Sequence, residues 1–121
     1  NISRLSENVF KVADRIVIPV IPTTLSERTF VQLLDFFQDH HFRKKKLIPF
    51  FSMVQQAKKL HKETIKRMRK QHKGFLNTEI PFSTDIEKMG IYRAPVLTYA
   101  RSRSAAAKAY KQLWNELQNK L

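Results

Sequence analysis

Arg15-Ile16-Val17-Ile18-Pro19-Val20-Ile21 is a continuous apolar run, mostly β-branched, which Pro22-Thr23-Thr24 breaks. It does not alternate between apolar and polar residues. That is the pattern of a strand covered on both faces, as in a parallel sheet flanked by helices. The residues that follow change period. Phe30, Leu33, Leu34 and Phe37 recur at i, i+3, i+4 and i+7, one stripe of a helix ending near His40. Thr24 and Glu27 have the capping-box spacing that would satisfy its first free amides.

The same alternation extends in both directions. Upstream, Ser3 to Lys11 reads as a short helix. Downstream, Leu47-Ile48-Pro49-Phe50-Phe51-Ser52-Met53-Val54 is a second buried strand, although Pro49 cannot donate to a ladder. A long helix is expected over Gln56–Gln71, with Gly74 placed to end it. Phe75 to Ile80 reads as a third strand. Thr84 and Glu87 repeat the capping-box spacing and open a short helix that Gly90 would terminate. Tyr92 to Tyr99 is expected to be irregular around Pro95. The last helix is capped by Ser104 and carries Ala106, Tyr110, Leu113, Trp114, Leu117 and Leu121 on one face. Strand and helix in alternation predict an α/β fold over residues 1–121, a single domain with a partial parallel sheet of about three strands. Three strands are few for such a sheet. Further strands come from elsewhere, or the open edges support a homodimer or other self-association.

Composition agrees with a folded domain. Of the 121 residues, 42% are hydrophobic and nine are Phe, enough for a real core. There is no cysteine, which excludes disulfides and thiolate chemistry and points to a reducing, cytoplasmic compartment. No run approaches the ~20 apolar residues of a membrane span. The first residues, Asn1-Ile2-Ser3-Arg4-Leu5, have neither the pattern of a signal peptide nor an initiator methionine, so the chain reads as a piece of a longer one.

Charge is the most asymmetric property. The net charge is +13, and the stretch Arg43 to Lys73 holds twelve Lys or Arg against one acid, Glu63. Like charges in a row destabilise a compact chain, so the asymmetry speaks of a polyanionic partner. On the helix Gln56–Gln71, Ala57, Leu60, Thr64 and Met68 fall on one side. Lys59, Lys62, Lys66, Arg69, Lys70 and Lys73 fall on the other. A solvated face mixes charge signs, and this one does not. These six are the candidate nucleic-acid residues, with Arg101 and Arg103 beside the last helix as second choices. No zinc-finger spacing, helix-turn-helix or aromatic ladder suggests base-specific readout.

Other chemistry finds no support. His40, His41, His61 and His72 match no metal-ligand spacing. No Gly-x-Ser-x-Gly elbow accompanies the Ser, His and Asp residues, so no catalytic residue is assigned. The two glycines, Gly74 and Gly90, lie outside any phosphate-loop context, and no Asp ends an apolar strand to hold a magnesium shell.

Three blocks together resemble the ParA/MinD-type partitioning ATPases, a branch of the P-loop NTPases. The first runs from Ser3-Arg4-Leu5-Ser6-Glu7-Asn8-Val9-Phe10-Lys11-Val12-Ala13-Asp14 through the strand Arg15–Ile21 and Pro22 to Gln32-Leu33-Leu34. It is similar to the family segment after the magnesium motif. The second is Phe50-Phe51-Ser52-Met53-Val54 with Lys58-Lys59-Leu60-His61. The third comprises Glu79-Ile80-Pro81-Phe82-Ser83, Met89-Gly90, Arg93-Ala94-Pro95-Val96 and Ser104-Ala105-Ala106 to Tyr110 and Trp114. The resemblance covers nearly the whole chain and implies the C-terminal half of such a protein, part of a Rossmann-like P-loop NTPase fold. The phosphate loop would then lie before Asn1. It implies ATP and magnesium as cofactors of the intact protein, with none expected for this chain alone and no hydrolysis by it alone. It places Ser52, Met53, Pro81 and Phe82 beside the adenine base. It further implies non-specific DNA binding by basic residues, dimerisation, a partner protein that stimulates the ATPase, and a role in segregating plasmid, chromosome or other cargo in bacteria. Some members bind membrane through a C-terminal amphipathic helix, but here the stripe bearing Trp114 reads as core packing. Where a subgroup carries Asp-Arg-Arg, this chain has Gln55-Gln56-Ala57. The rival reading is a stand-alone basic α/β nucleic-acid-binding module without ATPase activity.

Overall fold

The computed structural model describes residues 4–95 and 104–121. Helix α1 (Arg4–Val12) leads into strand β1 (Ile16–Val20), helix α2 (Thr24–Asp39), a 3-10 turn (Lys44–Lys46) and strand β2 (Leu47–Val54). Helix α3 (Lys59–Gln71), strand β3 (Glu79–Pro81), helix α4 (Thr84–Tyr92) and helix α5 (Ala105–Lys120) complete the order. The fold is α/β. The three strands form one parallel sheet in the order β1-β2-β3, with β2 in the centre.

β2 is buried because both of its faces are covered. Phe51 and Val54 join Val20, Phe30, Ile65, Met68 and Phe75 in a core between the sheet and α2 and α3. Ile48 and Phe50 join Leu76, Ile80, Ala109 and Leu113 in a second core beneath α5. Pro49 is tolerated in this central strand because its backbone faces the β3 side. There its carbonyl accepts from the Leu76 amide at 2.9 Å, ahead of the point where β3 begins opposite Phe51. No ladder amide is lost.

β1 departs from the expected two-sided burial. Ile18 and Val20 pack inward, but Val17 is 43% exposed, because α5 covers only β2 and β3 on that side. Parallel pairing with Ile48 and Phe50 uses the backbone of Ile16, Ile18 and Val20, so the Val17 and Pro19 groups point to the open edge. Pro19 therefore presents no N–H there.

Element ends differ from expectation for local reasons. The cap of α2 is Thr23, not Thr24. Its hydroxyl oxygen accepts from the Ser26 amide at 3.2 Å, and Glu27 is left to pair with Arg67. α3 starts three residues later than the periodicity suggests, at Lys59, with Lys58 as cap. Gly74 does not end it: His72 caps the helix, and neither glycine has a positive φ. Gly90 lies inside α4, which stops where Arg93 takes φ 50°. β3 is only Glu79–Pro81. Phe75 and Leu76 are buried, but as loop anchors: the Phe75 ring stacks on Phe51 with centroids 4.1 Å apart. On α5, Ala106, Ala107, Ala109 and Leu113 face the sheet, and small side chains let the helix approach closely. Trp114, about 100° round from Leu113, is 57% exposed, and Leu121 is also exposed. Among the described residues, no helix is long and apolar enough to cross a membrane.

Candidate nucleic-acid interface

α3 is amphipathic with a one-sided rule. His61, Thr64, Ile65 and Met68 are buried against the sheet, and Leu60 turns outward at 58% exposure. The inward stripe is thus rotated by one residue from the expected Ala57-Leu60-Thr64-Met68. A 13-residue helix is about 20 Å long. Along its outer side stand Lys59, Lys62, Lys66 and Lys70, followed by Lys73 just beyond the end, all exposed. Their spacings of three and four residues set neighbouring β-carbons roughly 5–6 Å apart. Lys59 lies 3.9 Å from Glu63, an exposed pair of small worth. Among the described residues, Lys62, Lys66, Lys70 and Lys73 have no ion-pair partner.

Arg69, expected in this set, is placed differently. Its guanidinium donates to the Leu76 carbonyl at 2.9 Å, the Asn77 carbonyl at 3.3 Å and the Glu79 carboxylate at 3.1 Å. It also lies 5.2 Å from the centre of the Phe51 ring. Five donors in a planar fork suit this clamp, and they bind the loop after α3 to β3. Its charge is already matched by Glu79, so Arg69 leaves the exposed set. Arg67 is likewise committed. It grips Glu27 with two bonds of 2.7 and 3.2 Å and fixes α3 to α2. That pairing holds the Glu27 carboxyl below its ordinary range, chiefly through the hydrogen bond from Arg67. Arg101 and Arg103 lie outside the described residues.

A second cluster sits at the carboxyl end of the sheet, where open α/β folds bind ligands. Ser52 and Met53 come just before Val54, the last residue of β2, and Pro81 ends β3 with Phe82 following it. The two strand ends meet through Val54: it aligns with Pro81, and the Phe82 amide donates to its carbonyl at 2.9 Å, while Ser52 and Met53 lie in the irregular stretch just before it. Met53 takes φ 53° within an irregular stretch of the ladder, and the Phe82 ring is partly exposed. A non-glycine residue in that region costs on the order of 1–3 kcal/mol and clusters at functional sites.

The turn that follows is pinned. The Gln55 amide donates to His61 Nδ1 at 3.0 Å. Burial, and then the Lys58 charge, hold the His61 pKa below its ordinary value, so the ring is neutral at pH 7 with its proton on Nε2. Gln56 donates to Glu79 at 3.3 Å, sharing that carboxylate with Arg69. Two of the remaining histidines, His40 and His72, serve packing, and His41 is exposed. His40 stacks on Phe36 at 4.0 Å, and His72 meets the Phe30 ring edge-on at 5.2 Å. Among the described residues, no three His, Asp or Glu side chains converge on a point where a metal could bind.

Arg15, Lys44, Lys45 and Lys120 are not among the candidates that the sequence singles out, and the fold gathers them at the opposite, amino-terminal end of the sheet. The run Arg43-Lys44-Lys45-Lys46 was the visible signal. Its convergence with Arg15 and Lys120 is a product of strand pairing. No protein-family model matches the chain, and neither does any curated protein.

Proposed function

We propose that this protein binds the phosphate backbone of nucleic acid without sequence preference, through Lys62, Lys66, Lys70 and Lys73, with Lys59 at the margin. One observation carries the reading: four exposed lysines, Lys62, Lys66, Lys70 and Lys73, without an ion-pair partner among the described residues, along a helix whose two arginines are spent on internal contacts. Lysines that served folding alone would be interleaved with acids, as Arg67 and Arg69 are paired here.

Each phosphate neutralised on duplex DNA contributes about −0.9 to the slope of log affinity against log salt. Four lysines give a slope of about −3.6. Replacing Lys62, Lys66 and Lys70 by Ala removes roughly 2.7 of that and weakens all sequences alike. A titration of labelled duplexes of two unrelated sequences in rising salt checks this. A flat salt response, or an unchanged slope in the triple variant, defeats the reading.

The wider setting we infer is the C-terminal portion of a ParA-like partitioning ATPase of the cytoplasm. The intact protein would bind ATP and magnesium, segregate DNA or other cargo, act as a dimer, and answer to a partner that stimulates hydrolysis. The resemblance, the parallel sheet and the placement of Ser52, Met53, Pro81 and Phe82 at adjoining carboxyl ends of β2 and β3 support it. In that setting these four residues line the adenine side of the nucleotide site. An in-frame upstream coding segment with a phosphate loop favours this setting. A start codon near Asn1 favours the stand-alone basic module. Both keep the lysine interface.

A further inference from the structure

Arg15, Lys44, Lys45 and Lys120 line a depression of about 380 Å³, whose other walls are Leu47, Ile48 and Gly74. Arg15 precedes β1, Lys44 and Lys45 belong to the turn that precedes β2, and Lys120 ends α5. Parallel pairing aligns Ile16 with Leu47, so the residues just ahead of both strands must converge at one end of the sheet. Among the described residues, no carboxylate lines the depression. The nearest acid along α5, Glu116, has its oxygens turned to the Asn77 and Thr78 amides at 2.6 and 2.9 Å. Lys44 donates to the Gln38 side-chain oxygen at 3.0 Å, a contact that steadies the ammonium without neutralising it.

Four like charges around one hollow disfavour the compact state while it is empty, and a multivalent anion reverses that cost. Lysine ammoniums act as point charges on phosphate oxygens, and an arginine fork can take two oxygens at once. The hollow also lies at the foot of the lysine stripe, since Gly74 follows Lys73 directly.

We propose that this depression is a binding site for adjacent phosphate groups. They would be either successive backbone phosphates of a nucleic acid leaving the foot of α3 or a free condensed phosphate. The nucleic-acid source rests on the interface argued above, and the free-phosphate source does not.

The test follows the backbone amides of the full chain by NMR while sodium tripolyphosphate or a duplex DNA is added. Three proteins are compared: the wild type, Lys44→Ala with Lys45→Ala, and the triple α3 variant. The exchanged lysines are exposed, and a melting curve verifies that each variant folds. Tripolyphosphate should shift the amides of Leu47, Ile48 and Gly74 in the wild type and in the α3 variant, and not in the Lys44/Lys45 variant. If DNA is the source, the Lys44/Lys45 variant also loses about 1.8 from its salt slope. An unchanged slope with the tripolyphosphate shifts intact assigns the site to free phosphate. Shifts at Gly74 without DNA binding anywhere leave this site standing and remove the α3 interface. If neither ligand moves these amides, or the tripolyphosphate shifts persist without Lys44 and Lys45, the site is overturned while α3 is judged separately.

Discussion

Glu116 shows how much one side chain holds at the scale of a residue. Its two oxygens accept from consecutive amides, Asn77 and Thr78, and so join α5 to the segment leading into β3. Burial pushes its carboxyl up. The Asn77 and Thr78 hydrogen bonds and the Lys120 charge outweigh that, and the net shift is down. Glu27 is held down in the same way by Arg67. A folded-state pKa below the unfolded value means stability that is fully present above the unfolded carboxylate range. It is lost as pH falls from there through the folded pKa. Urea unfolding at stepped pH should therefore show stability declining below about pH 4–5. Glu116→Gln, less stable at pH 7, should show a shallower decline. Parallel acid profiles for the two proteins would mean that the carboxylate contributes nothing through its charge.

At the scale of an element, the helix caps distinguish pattern from placement. The capping-box spacing of Thr24 and Glu27 pointed to a real helix start, but Thr23 is the residue in extended conformation, φ −122° and ψ 159°, whose hydroxyl oxygen reaches an amide. Thr23→Ala should cost about 1 kcal/mol and Thr24→Ala far less. Thermal or urea unfolding of the two variants measures the difference, and equal losses would return the cap to Thr24. The same distinction runs through the other elements. The existence, order and type of β1, α2, β2, α3 and α5 were legible in periodicity, because burial of one face imposes it. The phase of a stripe was not. On α3 the buried set is shifted by about one residue, so Leu60 faces out; on α5 Ala106, Tyr110, Leu113 and Leu117 keep the expected face, while Trp114 and Leu121 turn out. Which of two adjacent apolar residues turns inward depends on the surface opposite, and that surface is assembled from distant chain.

At the scale of the whole molecule, charge is divided by position as well as by sequence. Arg67 and Arg69 are drawn into the scaffold, while Lys62, Lys66, Lys70 and Lys73 stay outside it. The sheet has one edge that is blunted but not covered. Val17 and Pro19 are exposed on β1, and Pro19 also borders an open groove of about 800 Å³ against α2 that includes Leu33 and Phe36. A proline whose missing amide faces solvent weakens edge-to-edge pairing, a common protection for exposed edges. Pro19→Thr restores that donor on a flat β-branched strand. It should raise self-association, seen as a concentration-dependent increase in sedimentation coefficient. A variant that matches the wild type across concentration would show that the proline has no protective part.

The amino-acid order alone settled the α/β class, the succession of the main elements and the concentration of positive charge on one helix. Each of these follows from spacing along the chain, which periodicity and charge counting read directly. Only the tertiary structure decided that Arg69 is a clamp and not a surface cation. The same is true of the meeting of Val54 with Pro81 and Phe82 at the strand ends, and of the gathering of Arg15, Lys44, Lys45 and Lys120 around one hollow. Those outcomes depend on strand register and helix phase, which are set by packing between segments far apart in the chain and leave no local trace.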